Sequence, residues 1–157
     1  MLAVTTMMVG GPFVGLAAAT GAASNAHRCL SINGVSVVQS GTATCISSPS
    51  GSPEPNVARA TGDNSVAEAI LGNGDAATAH GKGSVAVSVL GNGNTATANG
   101  SGSSALAGQG NGNTATANGH GSSALAAQGN GNTATANGPC RAASLGDNLA
   151  VTCHPRR

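Results

Sequence analysis

The ten residues GNGNTATANG occur three times in this chain, at 91–100, 110–119 and 129–138, so successive copies begin 19 residues apart. The same register extends back to residue 53, and a partial fifth copy starts at Gly129. A fixed period of this size is typical of proteins built from stacked supersecondary units, because each unit buries its apolar side chains only against its neighbours. We therefore expect a stack of coils rather than a domain with one thick core.

Each copy contains two half-units of the form G-x-x-A-x-A, such as GNTATA and GSSALA in the copy at 91–109. In each half-unit, apolar and polar residues alternate over four or five positions, and glycine and asparagine stand at either end. This pattern indicates a short strand with a turn at each end. A helix is excluded by the glycine or asparagine that stands every few positions. The sequence predicts an all-β fold, a two-sided β-solenoid (β-roll) with coils of about 19 residues stacked about 4.8 Å apart.

Equivalent positions of successive coils form rows, and four of these rows hold only small side chains. With Phe13 as the single aromatic residue, the chain lacks the large side chains of a conventional core, and a narrow, closely packed interior demands small ones. These rows are predicted to point inward. They are Ala58, Ala77, Ala96, Ala115 and Ala134; Ala60, Ala79, Ala98, Ala117 and Ala136; Ala67, Ala86, Ala105 and Ala124; and Ala69, Ser88, Ala107 and Ala126.

The second half-unit has an outward row that becomes apolar towards the C-terminus: Glu68, Val87, Leu106 and Leu125. The glutamate favours exposure, because a buried unpaired charge is costly. An apolar stripe on a flat β face marks a partner surface, so Val87, Leu106 and Leu125 are the candidate interface and a homo-oligomer is expected. The alternative is that this sheet is turned over, with valine and leucine inside and alanine outside.

The first half-unit places threonine at its outward positions in three coils. Arg59 in one of these rows supports the outward orientation. Two threonine columns on a flat sheet resemble the ice-binding faces of β-solenoid antifreeze proteins, which gives ice binding as an alternative function, although threonine suits any solvated strand. The columns are Thr95, Thr114 and Thr133, and Thr97, Thr116 and Thr135.

Two further rows lie at turns. A glycine at the same place in each coil indicates a left-handed backbone, and asparagines in a row are expected to stack as an amide ladder. The glycines are Gly62, Gly81, Gly100, Gly119 and Gly138, and the asparagines are Asn92, Asn111 and Asn130.

Four cysteines, Cys29, Cys45, Cys140 and Cys153, flank the repeats. They lack the paired CxxC spacing of a zinc site, and no metal or cofactor is predicted. Four cysteines allow three pairings. The local pairs Cys29–Cys45 and Cys140–Cys153 are favoured because a solenoid holds its two ends apart, and each would close a loop of about 15 residues worth about 3 kcal/mol.

The predicted organisation has five parts. A disulfide-stapled hairpin cap turns at Asn33-Gly34, and a Ser/Pro-rich linker leads into the first coil. The parts are a signal peptide at 1–26, the hairpin cap at 27–46, the linker at 47–52, the solenoid repeats at 53–138 and a C-terminal disulfide cap at 139–157.

Residues 1–26 are small and apolar and end in Ser24-Asn25-Ala26, a small-x-small cleavage site. We expect secretion to an extracellular or cell-envelope location, which agrees with the even number of cysteines. No stable membrane span would remain after cleavage. The alternative is an uncleaved membrane anchor, but glycines and a proline interrupt a stretch barely long enough to span a bilayer.

Charge and chemistry exclude several functions. A net charge of +1 and a repeat region without aromatic residues offer neither a phosphate-binding patch nor a stacking platform, so nucleic acid is not an expected partner. The GNGNTA string at 91–96 matches a loose dinucleotide fingerprint but recurs with the repeat, and no βαβ unit surrounds it. No acid, base and nucleophile are placed together. The chain is not expected to be an enzyme.

The segment GDNSVAEAILGNGDAATAHGKGSVAVSVLGNGNTATA, residues 62–98, resembles the head repeats of YadA-like trimeric autotransporter adhesins. That resemblance implies a left-handed β-roll, three of which pack through apolar faces, and an adhesin-like head that binds host matrix or cells. The overall layout also resembles small exported Ala/Gly/Asn-rich proteins of mycobacteria and related actinobacteria. Together these features predict a secreted or cell-surface structural or binding module that is not catalytic and associates with itself. The alternative is an adhesin-like head with a partner on cells or matrix.

Overall fold

The computed structural model describes residues 26–155, and its regular secondary structure is entirely β. The fold is a β-solenoid of about six turns with a spacing of about 19 residues, as the repeat predicts. The signal peptide predicted at 1–26 lies, apart from Ala26, outside the described residues.

The described residues form these strands, in chain order: β1 (Arg28–Ile32), β2 (Val35–Ser40), β3 (Thr44–Ser47), β4 (Val57–Thr61), β5 (Val66–Asn73), β6 (Ala76–His80), β7 (Val85–Asn92), β8 (Thr95–Asn99), β9 (Ser104–Gly108), β10 (Thr114–Asn118), β11 (Ser123–Ala127), β12 (Thr133–Asn137), β13 (Arg141–Leu145) and β14 (Ala150–Cys153). They lie in two sheets. The eight-stranded sheet has the order β14-β12-β10-β8-β6-β4-β1-β2, and the six-stranded sheet has the order β13-β11-β9-β7-β5-β3. Each coil of the solenoid therefore contributes one strand to each sheet.

Neighbouring strands within the repeats pair in parallel, with each residue beside its equivalent in the next coil. Thr114 lies beside Thr95 and Thr133, and Leu106 lies beside Val87 and Leu125. Because the side-chain period of a strand is two, this register sends the same rows inward in every coil.

The core between the two sheets consists of alanine. Every alanine of the four predicted inward rows is at most 2% exposed, so their prediction is confirmed. The alternative orientation of the six-stranded sheet is wrong, because Ala67 and Ala105 are fully buried while Val87 and Leu106 lie half-buried on the outside. Small side chains on both inner faces let the sheets approach closely, which explains how a chain without large core residues fills its interior.

The glycine row forms one corner of each coil, with positive φ angles of 122° at Gly62 and Gly100. A Cβ built on Gly100 would lie 2.6 Å from the carbonyl oxygen of Gly119 in the next coil. Glycine is therefore required here for its left-handed backbone and also for the close stacking of the coils.

At the N-terminal end, β1 and β2 form an antiparallel hairpin around Asn33 and Gly34, and β1 also pairs antiparallel with β4. The sequence predicts that the Cys29–Cys45 disulfide staples this hairpin, but in the structure it does not join the two strands of the hairpin. Cys45 lies on β3, so the bond joins the eight-stranded sheet to the six-stranded one. The sequence does not show that β3 belongs to the other sheet, because the alternation of apolar and polar residues in β3 continues that of the hairpin strands.

The C-terminal end continues the solenoid. β13 and β14 pair in parallel with β11 and β12, so both sheets gain one more strand. The Cys140–Cys153 disulfide joins the start of this last coil to its end, with a Cα–Cα distance of 6.2 Å. Both disulfides thus tie the sheets together at the ends, where a coil has a neighbour on one side only.

Candidate functional site

The two outer faces of the solenoid differ in chemistry. The six-stranded sheet carries aliphatic side chains outward, all half-buried against one another. We call this surface the apolar face; its aliphatic residues are Val66, Ile70, Val85, Val87, Val89, Leu106 and Leu125. The predicted interface residues Val87, Leu106 and Leu125 therefore lie in one row at its centre.

Sequence reasoning identified only the central row of the apolar face. The structure adds two flanking rows, because Val66 pairs with Val85 and Ile70 pairs with Val89. Ile46 on β3 extends the central row at the N-terminal end and is 47% exposed. The signal for the flanking rows was present in the alternation of VAEAI and VAVSV, in which every outward residue but Glu68 is aliphatic.

Two charged side chains lie on this surface, near its opposite ends. Glu68 on β5 continues the central row and is half-buried. Arg141 on β13 is exposed and continues the flanking row that contains Ser123. Within residues 26–155 neither takes part in an ion pair.

The outer face of the eight-stranded sheet is mainly polar from β6 to β12, and we call this part of it the threonine face. At the N-terminal end of the same sheet, β2 exposes Val35, Val37 and Val38. The two predicted columns are in register and point outward. One of them is longer than the repeat suggests, because Thr78 precedes Thr97 and Thr152 follows Thr135. The column is therefore unbroken over Thr78, Thr97, Thr116, Thr135 and Thr152.

A ladder of exposed amides runs along one corner. Asn92 donates from its backbone nitrogen and from Nδ2 to Oδ1 of Asn111, at 2.9 and 3.1 Å. Asn111 binds Asn130 in the same way, which agrees with the predicted stacking. Asn73 precedes these residues and Asp147 follows them, so the ladder ends in a carboxylate that only accepts.

A second column of side chains, which the sequence analysis did not identify, is buried beside this corner. We call it the buried asparagine column: Asn56, Asp75, Asn94, Asn113 and Asn132. All five are fully buried. In each step, the backbone N–H of one member donates to Oδ1 of the member before it, as from Asn113 to Asn94 at 3.0 Å. These bonds supply partners inside the corner to N–H groups that would otherwise be buried unpaired.

Asp75 differs from the other members because a carboxylate lacks the amide donor. Its Oδ1 accepts from the backbone nitrogen of Asn94 at 2.8 Å, but its Oδ2 has no partner among the described residues. In Asn113 the corresponding Nδ2 donates to the carbonyl oxygens of Gly108 and Gly129. Burial raises the pKa of the Asp75 carboxyl, and hydrogen bonds from Asn94 lower it by a smaller amount.

A small polar cluster lies on the surface near the N-terminal end. The Thr42 hydroxyl donates to Oδ1 of Asp63 at 2.7 Å, and this bond is the main reason why the pKa of Asp63 is lowered. His27 and Lys82 lie 3.7 and 4.0 Å away and lower the pKa further. All of these groups are largely solvated, so the cluster is a surface network rather than a reactive centre.

A shallow, open depression is lined by Ser52, Pro53, Glu54, Asn73 and Asn92. Within residues 26–155 no three His, Cys, Asp or Glu side chains gather as metal ligands would. The same residues contain no helix long and apolar enough to cross a membrane.

The two disulfides, Cys29–Cys45 and Cys140–Cys153, indicate folding in an oxidising environment, as outside the cell. No protein-family model, curated protein or solved structure matches this chain.

Proposed function

We propose that this chain is a secreted, non-catalytic structural or binding module that associates with copies of itself through the apolar face. The single observation that carries the proposal is the contrast between the two outer surfaces. From β6 to β12 one sheet carries mainly threonine and asparagine outward, while the other carries three rows of valine, isoleucine and leucine. A solvated sheet alternates apolar-in and polar-out, so an aliphatic outer face points to a surface that is covered in use.

The composition and register of the apolar face make a second copy the partner that fits. Leu106 lies at the middle of the face with Val87 and Leu125 on the adjoining strands, so the same surface is offered by every copy. Two such sheets pack face to face about 10 Å apart, as in a β-sandwich. An interface made by the same patch on both copies is the commonest basis of a homodimer. Secretion is supported by the two disulfides.

The experiment is the molar mass of the oxidised protein in solution. Sedimentation with interference optics is suitable, because the chain has no tyrosine or tryptophan. We expect a dimer or higher oligomer that becomes monomeric in Leu106→Glu, since two buried carboxylates would face each other across the interface. Thr116→Glu is the matched control, because it places the same charge at the middle of the threonine face.

Two results would contradict the proposal. One is a wild-type protein that stays monomeric at high concentration. The other is an oligomer that dissociates equally in Thr116→Glu and in Leu106→Glu, since the threonine face would then be involved as much as the apolar face. Unchanged far-UV circular dichroism in both variants would show that the fold is intact.

A further inference from the structure

Glu68 and Arg141, the two charged residues of the outer surface that bears the apolar face, lie at opposite ends of it. In the six-stranded sheet, β7, β9 and β11 stand between β5, which carries Glu68, and β13, which carries Arg141. The two strands are thus four spacings apart, about 19 Å at the usual distance between strands. β9, which carries Leu106, lies midway between them.

We propose that two copies of this chain pack apolar face to apolar face about a two-fold axis that lies along β9, so that β5 of each copy faces β13 of the other. This arrangement rests on the proposed self-association and specifies its geometry. Rotation about such an axis reverses the order of the strands but keeps each residue's position along its strand. Leu106 then faces Leu106 of the second copy at the centre, and Val87 faces Leu125.

The charges become complementary in this arrangement. Glu68 shares its row with Val87, Leu106, Leu125 and Ala143, so it lies opposite Ala143 of the second copy. Arg141 is two residues from Ala143 on the same strand and face, about 7 Å along the strand, a distance that an arginine and a glutamate span between them. Symmetry makes two such pairs in each dimer.

Other ways of joining the apolar faces bring like charges together. If the axis ran along the stack of coils instead, β5 would face β5 of the second copy. Glu68 would then oppose Glu68, and Arg141, which lies to one side of the central row, would oppose Leu145 and have no carboxylate opposite it. The same holds for three parallel copies around a common axis, where each level of the stack meets its own equivalent. Like charges directly opposite each other destabilise an interface, so the distribution of charge favours the reversed pair.

The test uses three charge variants of the full oxidised chain, measured by sedimentation at low ionic strength. Glu68→Arg and Arg141→Glu each replace both attractive pairs of the dimer by repulsive ones, and we expect each to raise the dimer dissociation constant about tenfold. The double variant Glu68→Arg/Arg141→Glu restores opposite charges at both places. We expect its dissociation constant to return to within about twofold of the wild type.

The salt dependence of the unmodified protein gives an independent result that needs no variant. Because attractive pairs are screened by salt, the dissociation constant of the wild type should rise with ionic strength. A dissociation constant that falls with salt would overturn the reversed arrangement, and so would single variants that bind as tightly as the wild type. Either result, with self-association still lost in Leu106→Glu, would refute this geometry and leave the proposed function standing. A wild-type protein that is monomeric would refute both.

Discussion

Replacing Asp75 with asparagine tests the role of the buried asparagine column in stability. Asp75 is fully buried, and its Oδ2 occupies the place equivalent to the one from which Nδ2 of Asn56 and of Asn113 donates to the carbonyl oxygen of Gly72 or Gly129. Among the described residues, both this Oδ2 and Nδ2 of Asn94, the next member of the column, are buried without a partner. Asp75→Asn supplies the missing donor and keeps the Oδ1 that accepts from Asn94. We therefore expect this variant to be more stable than the wild type, and by an amount that depends on pH.

The sign follows from the pKa. Burial raises the pKa of Asp75 above its ordinary value of 3.8. Between the unfolded pKa and the folded pKa, the folded state therefore still holds a proton that the unfolded chain has released. The free energy of unfolding therefore falls as pH rises from the unfolded pKa through the folded pKa, and stays low above it. At lower pH the protonated carboxyl can donate as an amide does, and Asp75→Asn should change little.

The magnitude comes from the unpaired oxygen. A buried polar group without a partner costs about 1–3 kcal/mol. We expect Asp75→Asn to raise the free energy of unfolding by about 1–3 kcal/mol at neutral pH and by close to nothing in acid. Urea denaturation followed by far-UV circular dichroism measures both values in a chain without tryptophan.

Asp63→Asn is the matched control, because the same substitution removes a carboxyl whose pKa is lowered. Asp63 contributes stability above its unfolded pKa and loses it as pH falls through the folded pKa. Its variant should therefore be slightly destabilised at neutral pH and equal to the wild type in acid, the opposite trend to Asp75→Asn. A stabilisation by Asp75→Asn that is the same in acid and at neutral pH, or a loss of stability at neutral pH, would refute the reasoning.

Two further predictions concern the corner glycines and the end disulfides. Gly100→Ala should be strongly destabilising in thermal unfolding, because its Cβ would meet the carbonyl oxygen of Gly119 at 2.6 Å. Gly102 also has a positive φ but no atom within 4 Å of its Cβ position, so Gly102→Ala should cost only about 1–2 kcal/mol of backbone strain. Equal losses of stability in the two variants would contradict the steric argument. Replacing both Cys140 and Cys153 with serine removes the disulfide of the last coil and should lower the free energy of unfolding, measured by urea denaturation, by about 3 kcal/mol. An unchanged midpoint of the urea transition would show that the last coil is held by its strand pairing alone.

The features predictable from the sequence are those that repeat with the coil. Strict alternation fixes which row is inward, so it predicts the burial of Ala96, Ala115 and Ala134, which are fully buried. The corner glycines and the ladder through Asn111 follow from turn chemistry at a fixed position. Each of these inferences needs only one copy and the 19-residue period.

The features that could not be predicted lie at the corner that follows the six-stranded sheet in each coil. Asn94 and Asn113 stand just before a strand, where asparagine is an ordinary turn residue, and nothing in the alternation marks them as buried. Leu71 and Leu90 adopt left-handed backbone, with φ of 60° and 59°, which no propensity assigns to leucine. For the asparagines, hydrogen bonds to the next coil decide, and a single copy of the repeat contains no information about them.

The candidate site divides in the same way. The central apolar row follows from the repeat, but the position of Arg141 opposite Ser123 does not. These two residues are 18 apart in sequence and pair directly, because the last coil departs from the period of the others. A charge placed by an irregular coil can be assigned to a face only when its strand pairing is known.

The irregular end coils also set the register of the whole stack. A slip by one residue is excluded within the repeats, because it would turn every inward alanine outward. A slip by a whole coil is different, since Thr95, Thr114 and Thr133 have equivalent surroundings. The ends prevent it. The buried column closes on the backbone nitrogen of Leu149, which is 17 residues beyond Asn132 rather than 19, and each end coil is locked by a disulfide. Identical copies therefore fix the coil, while the two unlike ends fix which copies are neighbours.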